Sequence, residues 1–421
     1  YAGSSKTNYG LIREETETIK SSEINIMDKQ RIETICVQGG YKPENGEPRI
    51  LPIYQSTTYK YDSSEHLGKL FDLEVPGHMY SRISNPTLAY VEDKIAELEG
   101  GCGALLTSSG QSANLLAILN LCSCGDNFVC SYSIYGGTVN LFAVTLKRMG
   151  IECRLFENDA PDEEVEKLID DKTRLIFGET IANPALTVFD IERFAEIAHK
   201  HNIPLIIDNT FATPINCRPF EYGADIVTHS TTKYMDGHAC VVGGVIVDSG
   251  KFDWTKGNFP GLTEPDESYH GVAYVRDFGE AAYITKARVQ LMRDIGATAQ
   301  PMTAFLLNLG LETLALRIER HCFNALEIAT RLSKDKRISY INYPGLLSDK
   351  NYPLTQKYLK KGCGGVISFG VKGGKEAAMK FMDSLKLITL VVHVCDARTI
   401  ALHPASTTHR QLTDEQLAAG K

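Results

Sequence analysis

Two stretches decide the fold: Leu205-Ile-Ile-Asp208-Asn-Thr-Phe211 and Ile226-Val-Thr-His-Ser230-Thr-Thr-Lys233-Tyr-Met-Asp-Gly-His238. Each opens with a short apolar run and closes on polar residues. Runs of this length with no polar alternation read as strands covered on both faces, as in a parallel sheet flanked by helices. Similar runs lie at Ala104–Thr107, Phe128–Tyr132, Leu175–Glu179 and Val242–Val247. Helical spacing fills the intervals at Tyr90–Leu98, Gln111–Asn120, Gly137–Met149, Glu163–Ile169 and Phe189–His201. Strand and helix in alternation predict an α/β layer fold with a mainly parallel sheet. Beyond it, helical patterns run from about Gly279 to Leu332. A Gly-containing strand (Gly364–Gly370) and a helix (Gly374–Leu385) follow, predicting a smaller α+β domain. The expected boundaries are 1–87 for an N-terminal arm and loop, 88–285 for the large domain and 286–421 for the C-terminal domain. Residues 1–30, rich in Glu, Lys, Ser and Thr, read as a lead-in without a core.

Composition narrows the function classes. The 421 residues carry a net charge of −8, which disfavours nucleic acid or an anionic membrane as partner. No apolar run approaches the ~20 residues of a spanning helix. The 11 cysteines are odd in number and scattered, some within apolar segments, the pattern of a reduced, cytoplasmic protein. Cys122 and Cys124 form a C-x-C with no second pair at zinc spacing, so no metal is expected.

Five constellations bear on chemistry. Lys233 follows a strand and a hydroxyl cluster. A lysine buried at a sheet edge becomes nucleophilic, and Ser230 and Thr232, three and one residues before it, suit a phosphate held alongside. Asp208 ends a strand, where α/β proteins bind ligands; it reads either as the anionic partner of a ring nitrogen or as a turn cap. Ser109-Gly110-Gln111 joins a strand to a helix whose first N–H groups suit a phosphate. Tyr135-Gly136-Gly137-Thr138 offers an aromatic ring for stacking, or a simple loop tyrosine. Tyr80 and Arg82 lie in a loop before the large domain, and the arginine suits a phosphate or an interface salt bridge. No Walker loop or dinucleotide fingerprint is present.

In this order along one α/β chain, these motifs resemble the fold-type I pyridoxal-phosphate enzymes of cysteine and methionine metabolism. Pro52-Ile-Tyr-Gln-Ser-Thr-Thr58, Glu179-Thr-Ile-Ala-Asn183-Pro184 and His403-Pro-Ala-Ser-Thr-Thr-His409 extend the resemblance from about Glu33 to the end. It implies a seven-stranded sheet and pyridoxal 5'-phosphate held by Lys233 as a Schiff base, with Asp208 on the ring nitrogen. It also implies a phosphate cradle of Gly110, Gln111, Ser230 and Thr232. Tyr135 would stack on the ring and assist departure of the γ-substituent, and Asn183 would lie near the substrate carboxylate. Tyr80 and Arg82 would come from a neighbouring subunit, in a homotetramer built as a dimer of active dimers.

Leu70-Phe-Asp-Leu-Glu-Val-Pro-Gly77 and Phe259-Pro-Gly-Leu-Thr-Glu-Pro-Asp-Glu-Ser-Tyr-His270 resemble the O-acetylhomoserine sulfhydrylase branch of that family. That branch implies γ-replacement on O-acetylhomoserine by sulfide or a thiol. Methionine γ-lyase and cystathionine γ-synthase are the alternatives; γ-lyases usually carry cysteine where this chain has Gly137. Two departures stand out. The Arg-Leu-Ser-x-Gly segment that grips the substrate carboxylate in the family does not occur before Lys421, so the expectation is a chain that continues; a catalytically impaired binding homologue is the other reading. His393-Val-Cys395 stands where relatives often have glycine before the Asp396 position.

Overall fold

The computed structural model describes residues 30–404. The strands β1 (Gly103–Thr107), β2 (Asn127–Ser131), β3 (Glu152–Phe156), β4 (Thr173–Glu179), β5 (Leu205–Asp208), β6 (Ile226–His229) and β7 (Gly244–Asp248) form one sheet in the order β1-β7-β6-β5-β4-β2-β3. Every residue of β5 and β6 is buried, which is why their sequence shows no polar alternation. β4 through β6 run parallel with Glu179 beside Asp208 and Asp208 beside Thr228, so their carboxyl ends are level. β7 runs antiparallel to both β1 and β6, making the sheet mainly, not wholly, parallel. Phe142 packs edge-on against Phe128 and Phe177, with centroids 5.0 and 4.9 Å away, in the layer beneath β2 and β4.

Several elements differ from the sequence expectation. β3 has no counterpart in it: this edge strand carries Glu152 and Arg154, and Arg154 pairs with Glu152 and Asp170 at the rim. Charged edges are how sheets avoid further pairing, and they erase the apolar signal. The helix expected from Tyr90 begins at Pro86 (α1, Pro86–Glu99), because Asn85 accepts from the Thr87 N–H at 2.9 Å and proline suits the first turn. β7 starts at Gly244 and not Val242, since Gly243 is held by reciprocal hydrogen bonds with the Thr232 hydroxyl. The expected strand Gly364–Gly370 shortens to β9 (Ser368–Val371), paired antiparallel with β8 (Ile338–Asn342). The large sheet lies within residues 103–248, and the β8–β9 pair lies beyond two long helices, Pro301–Glu312 and Leu314–Leu332. The lead-in expected for residues 1–29 and the segment after His403-Pro404 lie outside the described residues. No helix among the described residues is long and apolar enough to cross a membrane.

Candidate active site

The carboxyl ends of β4, β5 and β6 meet the start of the helix after β1, α2 (Gly110–Leu119). Its capping residue Ser109 accepts from the Ser112 N–H through its hydroxyl, which leaves the Gly110 and Gln111 N–H groups at the open, dipole-positive end. Gly110 is required by contact: a Cβ there would stand 2.6 Å from Ser230 Cβ. The helix end therefore lies directly against the turn that carries Lys233. Gln111 Oε1 is buried and has no partner among the described residues.

Asp208 is 9% exposed and held on one side. Oδ1 accepts from the Thr210 N–H at 3.0 Å and from the Thr210 hydroxyl, which itself accepts from the Ser230 N–H at 2.8 Å. Oδ2 has only a long contact, 3.4 Å, from Asn114 Nδ2, whose amide oxygen is fixed by the Thr228 hydroxyl at 2.6 Å. The carboxylate is thus oriented with one oxygen in reserve.

Lys233 is half-buried, and burial pushes its amine below the usual lysine range, against a smaller opposing influence from Cys395. A lysine so placed keeps its neutral, nucleophilic form at lower pH. Thr232 differs from expectation: its hydroxyl is already engaged by the Gly243 N–H (3.0 Å) and carbonyl (3.1 Å). The neighbouring Thr231 hydroxyl is buried and unpartnered among the described residues.

Tyr135 caps the short helix α3 (Gly136–Asn140) and is 49% exposed, with its ring over Gly137 and near Gln111. Asn183 follows β4 at the cis Asn183–Pro184 bond. Tyr80 pairs with Thr58, and Arg82 lies beside Gly296, its Cδ 3.7 Å from where a Cβ there would stand. The Arg82 guanidinium lies 5.3 Å from the Tyr80 ring centre and has no carboxylate partner among the described residues. Arg398 is committed to Asp396 (3.0 Å) and to the His238 carbonyl, and Arg410 lies outside the described residues.

Three contributions were not legible from the motifs. Glu179, the last residue of β4, is buried at the site and accepts from the Tyr135 N–H at 2.7 Å. Asn114 sits one helical turn inside α2, where no spacing rule ties it to Asp208. Beneath the site, His229 Nε2 and Glu99 Oε1 meet at 2.6 Å, and Asn209 Nδ2 donates to the same oxygen at 2.9 Å. The His393–Cys395 segment noted as a departure packs at Lys233: Cys395 is buried, with φ +67°, and the Ala397 N–H donates to the Gly237 carbonyl at 2.8 Å. Glycine adopts that φ at no cost, whereas cysteine is strained there.

A helix end without a side chain at Gly110, an oriented aspartate with a free oxygen, an aromatic ring and a buried lysine suit a planar, phosphorylated, carbonyl-bearing group with a basic ring nitrogen. The fold is that of the fold-type I pyridoxal-phosphate enzymes: a Campylobacter jejuni crystal structure containing N'-pyridoxyl-lysine-5'-monophosphate superposes with a TM-score of 0.89, at 37% identity over 93% of both chains. Residues 33–420 match the family described as Cys/Met metabolism PLP-dependent enzymes, and the chain belongs to it. Among its curated relatives, an O-acetyl-L-homoserine sulfhydrylase of Leptospira meyeri is 44% identical over 92% of this chain and 90% of its own. A homocysteine/cysteine synthase of Kluyveromyces lactis is 48% identical over 89% and 87% respectively. The O-acetyl-L-homoserine sulfhydrylase 1 of Thermus thermophilus is 46% identical over 92% and 93%.

Proposed function

We propose that the protein converts O-acetylhomoserine and sulfide, or a small thiol, into homocysteine or its thioether, releasing acetate. The observation that carries this reading is near-complete coverage, at 44–48% identity, of relatives named for that reaction and its product. When bound, pyridoxal phosphate supplies the electron sink that permits proton loss from the substrate and departure of its γ-substituent. The chain's own groups divide the remaining work. The Gly110 and Gln111 N–H groups and the Ser230 hydroxyl would hold the cofactor's phosphate, with Thr232 framing the turn through Gly243. Asp208 would offer its less engaged Oδ2 to the ring nitrogen. Lys233 Nζ would hold the cofactor and, as a free amine, take and return protons at the substrate carbons. Tyr135 would cover the ring and stand by the departing acetate, while Asn183 would serve the substrate carboxylate.

We also assign Tyr80 and Arg82 to a neighbouring subunit's phosphate, in a homotetramer of active dimers. An arginine without a carboxylate partner among the described residues supports that assignment. A cytoplasmic setting agrees with eleven free cysteines. The domain division is proposed near residues 87 and 285, which fall in the first turn of α1 and in the helix Ala282–Lys286.

The experiment is formation of homocysteine and acetate in equal amounts from O-acetylhomoserine and sulfide, with methionine as a parallel substrate. Release of 2-oxobutyrate from methionine without thiol transfer would replace this reading with a γ-lyase. Bound cofactor with no turnover of either substrate would mark a binding homologue. The Kluyveromyces lactis relative's double name recommends O-acetylserine as a second acceptor, with cysteine as product.

A further inference from the structure

One buried carboxyl group at the site has no part in the chemistry above. Glu179 is the last residue of β4 and 6% exposed, and its Cα is paired with that of Asp208. It has no arginine, lysine or histidine partner among the described residues. What it has instead is a main-chain donor, the Tyr135 N–H at 2.7 Å, from the loop that follows β2. β2 and β4 are sheet neighbours, so the strand end carrying Glu179 stands beside that loop. Burial, with the nearby Asp208 adding to it, pushes the Glu179 carboxyl well above the usual carboxylate range. A buried, unpaired acid is costly to keep, and a purely apolar residue would pack at this depth without that cost.

We propose that Glu179 is a positioning residue that sets where Tyr135 stands at the cofactor, by holding its main-chain N–H from a buried side chain. The proposal rests on the pyridoxal-phosphate reading of the site. Burial favours the protonated carboxyl, which still offers a carbonyl oxygen to that N–H. Glutamine keeps such an oxygen, whereas leucine, of similar size, offers the N–H no acceptor. Placement errors near 1 Å at a reacting centre cost rate without unfolding anything.

The test uses Glu179→Leu and Glu179→Gln in the full chain, reconstituted with pyridoxal phosphate. The readouts are the visible circular dichroism of the bound cofactor, the cofactor dissociation constant, kcat and KM separately, and thermal unfolding of the apo form. The expected result is an altered dichroic band and a fall in kcat on the order of ten- to a hundredfold for Glu179→Leu, with apo unfolding little changed. Glu179→Gln, which keeps an acceptor for the Tyr135 N–H, restores most of the band and of kcat. In a Tyr135→Ala background the Glu179→Leu loss shrinks, because the ring it positioned is already gone. A normal band and normal kcat with lowered apo stability would overturn the proposal, as would an undiminished loss in the Tyr135→Ala background. Failure of the wild-type protein to bind pyridoxal phosphate would overturn the underlying reading as well, so the two failures are told apart by the wild-type control.

Discussion

A Cβ placed on Gly137 would stand 2.5 Å from Tyr135 Cε1 and 3.0 Å from Gln111 Nε2, so the Tyr135 ring lies where a side chain at 137 would be. The absence of a side chain at 137 is what lets the ring fold over the α2 end. Gly137→Cys therefore pushes the ring outward, since a half-exposed side chain yields before the backbone does. The expected outcome is a fall in kcat/KM for O-acetylhomoserine on the order of ten- to a hundredfold, with thermal stability nearly unchanged because the displaced ring carries little of the core. Steady-state kinetics beside a melting curve decide it; unchanged kinetics would mean that the ring position does not depend on Gly137.

The second prediction follows from Arg82, which meets Tyr80 and no acid among the described residues. If it serves a neighbouring subunit, Lys233→Ala and Arg82→Ala variants are each inactive as homodimers. Mixed under conditions that exchange subunits, they form hybrids with one site carrying both defects and one carrying neither. About a quarter of the wild-type activity then returns, from half the dimers being hybrid with one intact site each. Activity that stays at the background of the separate variants after verified exchange would place Arg82 in its own chain's site.

How far the sequence revealed this arrangement depended on where each residue's partners come from. β5 and β6 were readable because burial on both faces leaves an unbroken apolar run. Lys233, Asp208 and Gly110 were readable because each stands at a strand end or helix start, the positions where this class of sheet binds ligands. β3 was hidden by Arg154 and Glu152, whose charges answer to the sheet's edge and not to its period. Glu179 was hidden for a different reason: its donor Tyr135 lies 44 residues away in the chain and contributes a backbone group, which no side-chain pattern records. The start of α1 at Pro86 was missed because Asn85-Pro86 reads equally as a turn until the Asn85 cap is seen.

A third prediction concerns the layer under the site. His229 and Glu99 are each about fully buried, and Glu99 Oε1 also accepts from Asn209, whose amide oxygen accepts from the Thr180 hydroxyl at 2.7 Å. Asn209 follows Asp208 and His229 precedes Ser230, so the network fixes the backbone beneath both site residues. Removing one partner strands the other away from water. His229→Ala is expected to lower stability by about 3–5 kcal/mol in urea unfolding, and to weaken cofactor binding with it. Glu99→Gln, which preserves an acceptor for Asn209, is expected to cost less. A His229→Ala protein with wild-type unfolding would show that the pair contributes nothing net.

The fourth prediction is a pH dependence set at the far end of α2. Lys286 Nζ donates to the Asn120 carbonyl at 2.9 Å and to its side-chain oxygen at 3.2 Å, closing the carboxyl end of the helix whose amino end carries Gly110 and Gln111. Burial pushes this amine down to about 8, with distant Asp266 opposing. The unfolded chain holds the same proton up to about 10.4. Between those two values the unfolded state binds a proton that the folded state has released, so stability rises with pH across that window; below it both states are charged and the full penalty of burying the cation applies. The penalty is of the order of 3 kcal/mol for a shift of that size. Urea unfolding of wild type and Lys286→Met at about pH 7.5 and about pH 10 isolates it from the thiols and phenols that titrate nearby. The wild type is expected to gain on the variant as pH rises, because methionine has no proton to lose. Parallel curves for the two proteins would show that Lys286 keeps its proton in the fold, and that the α2 carboxyl end, with its carbonyl dipoles, stabilises the cation more than burial penalises it.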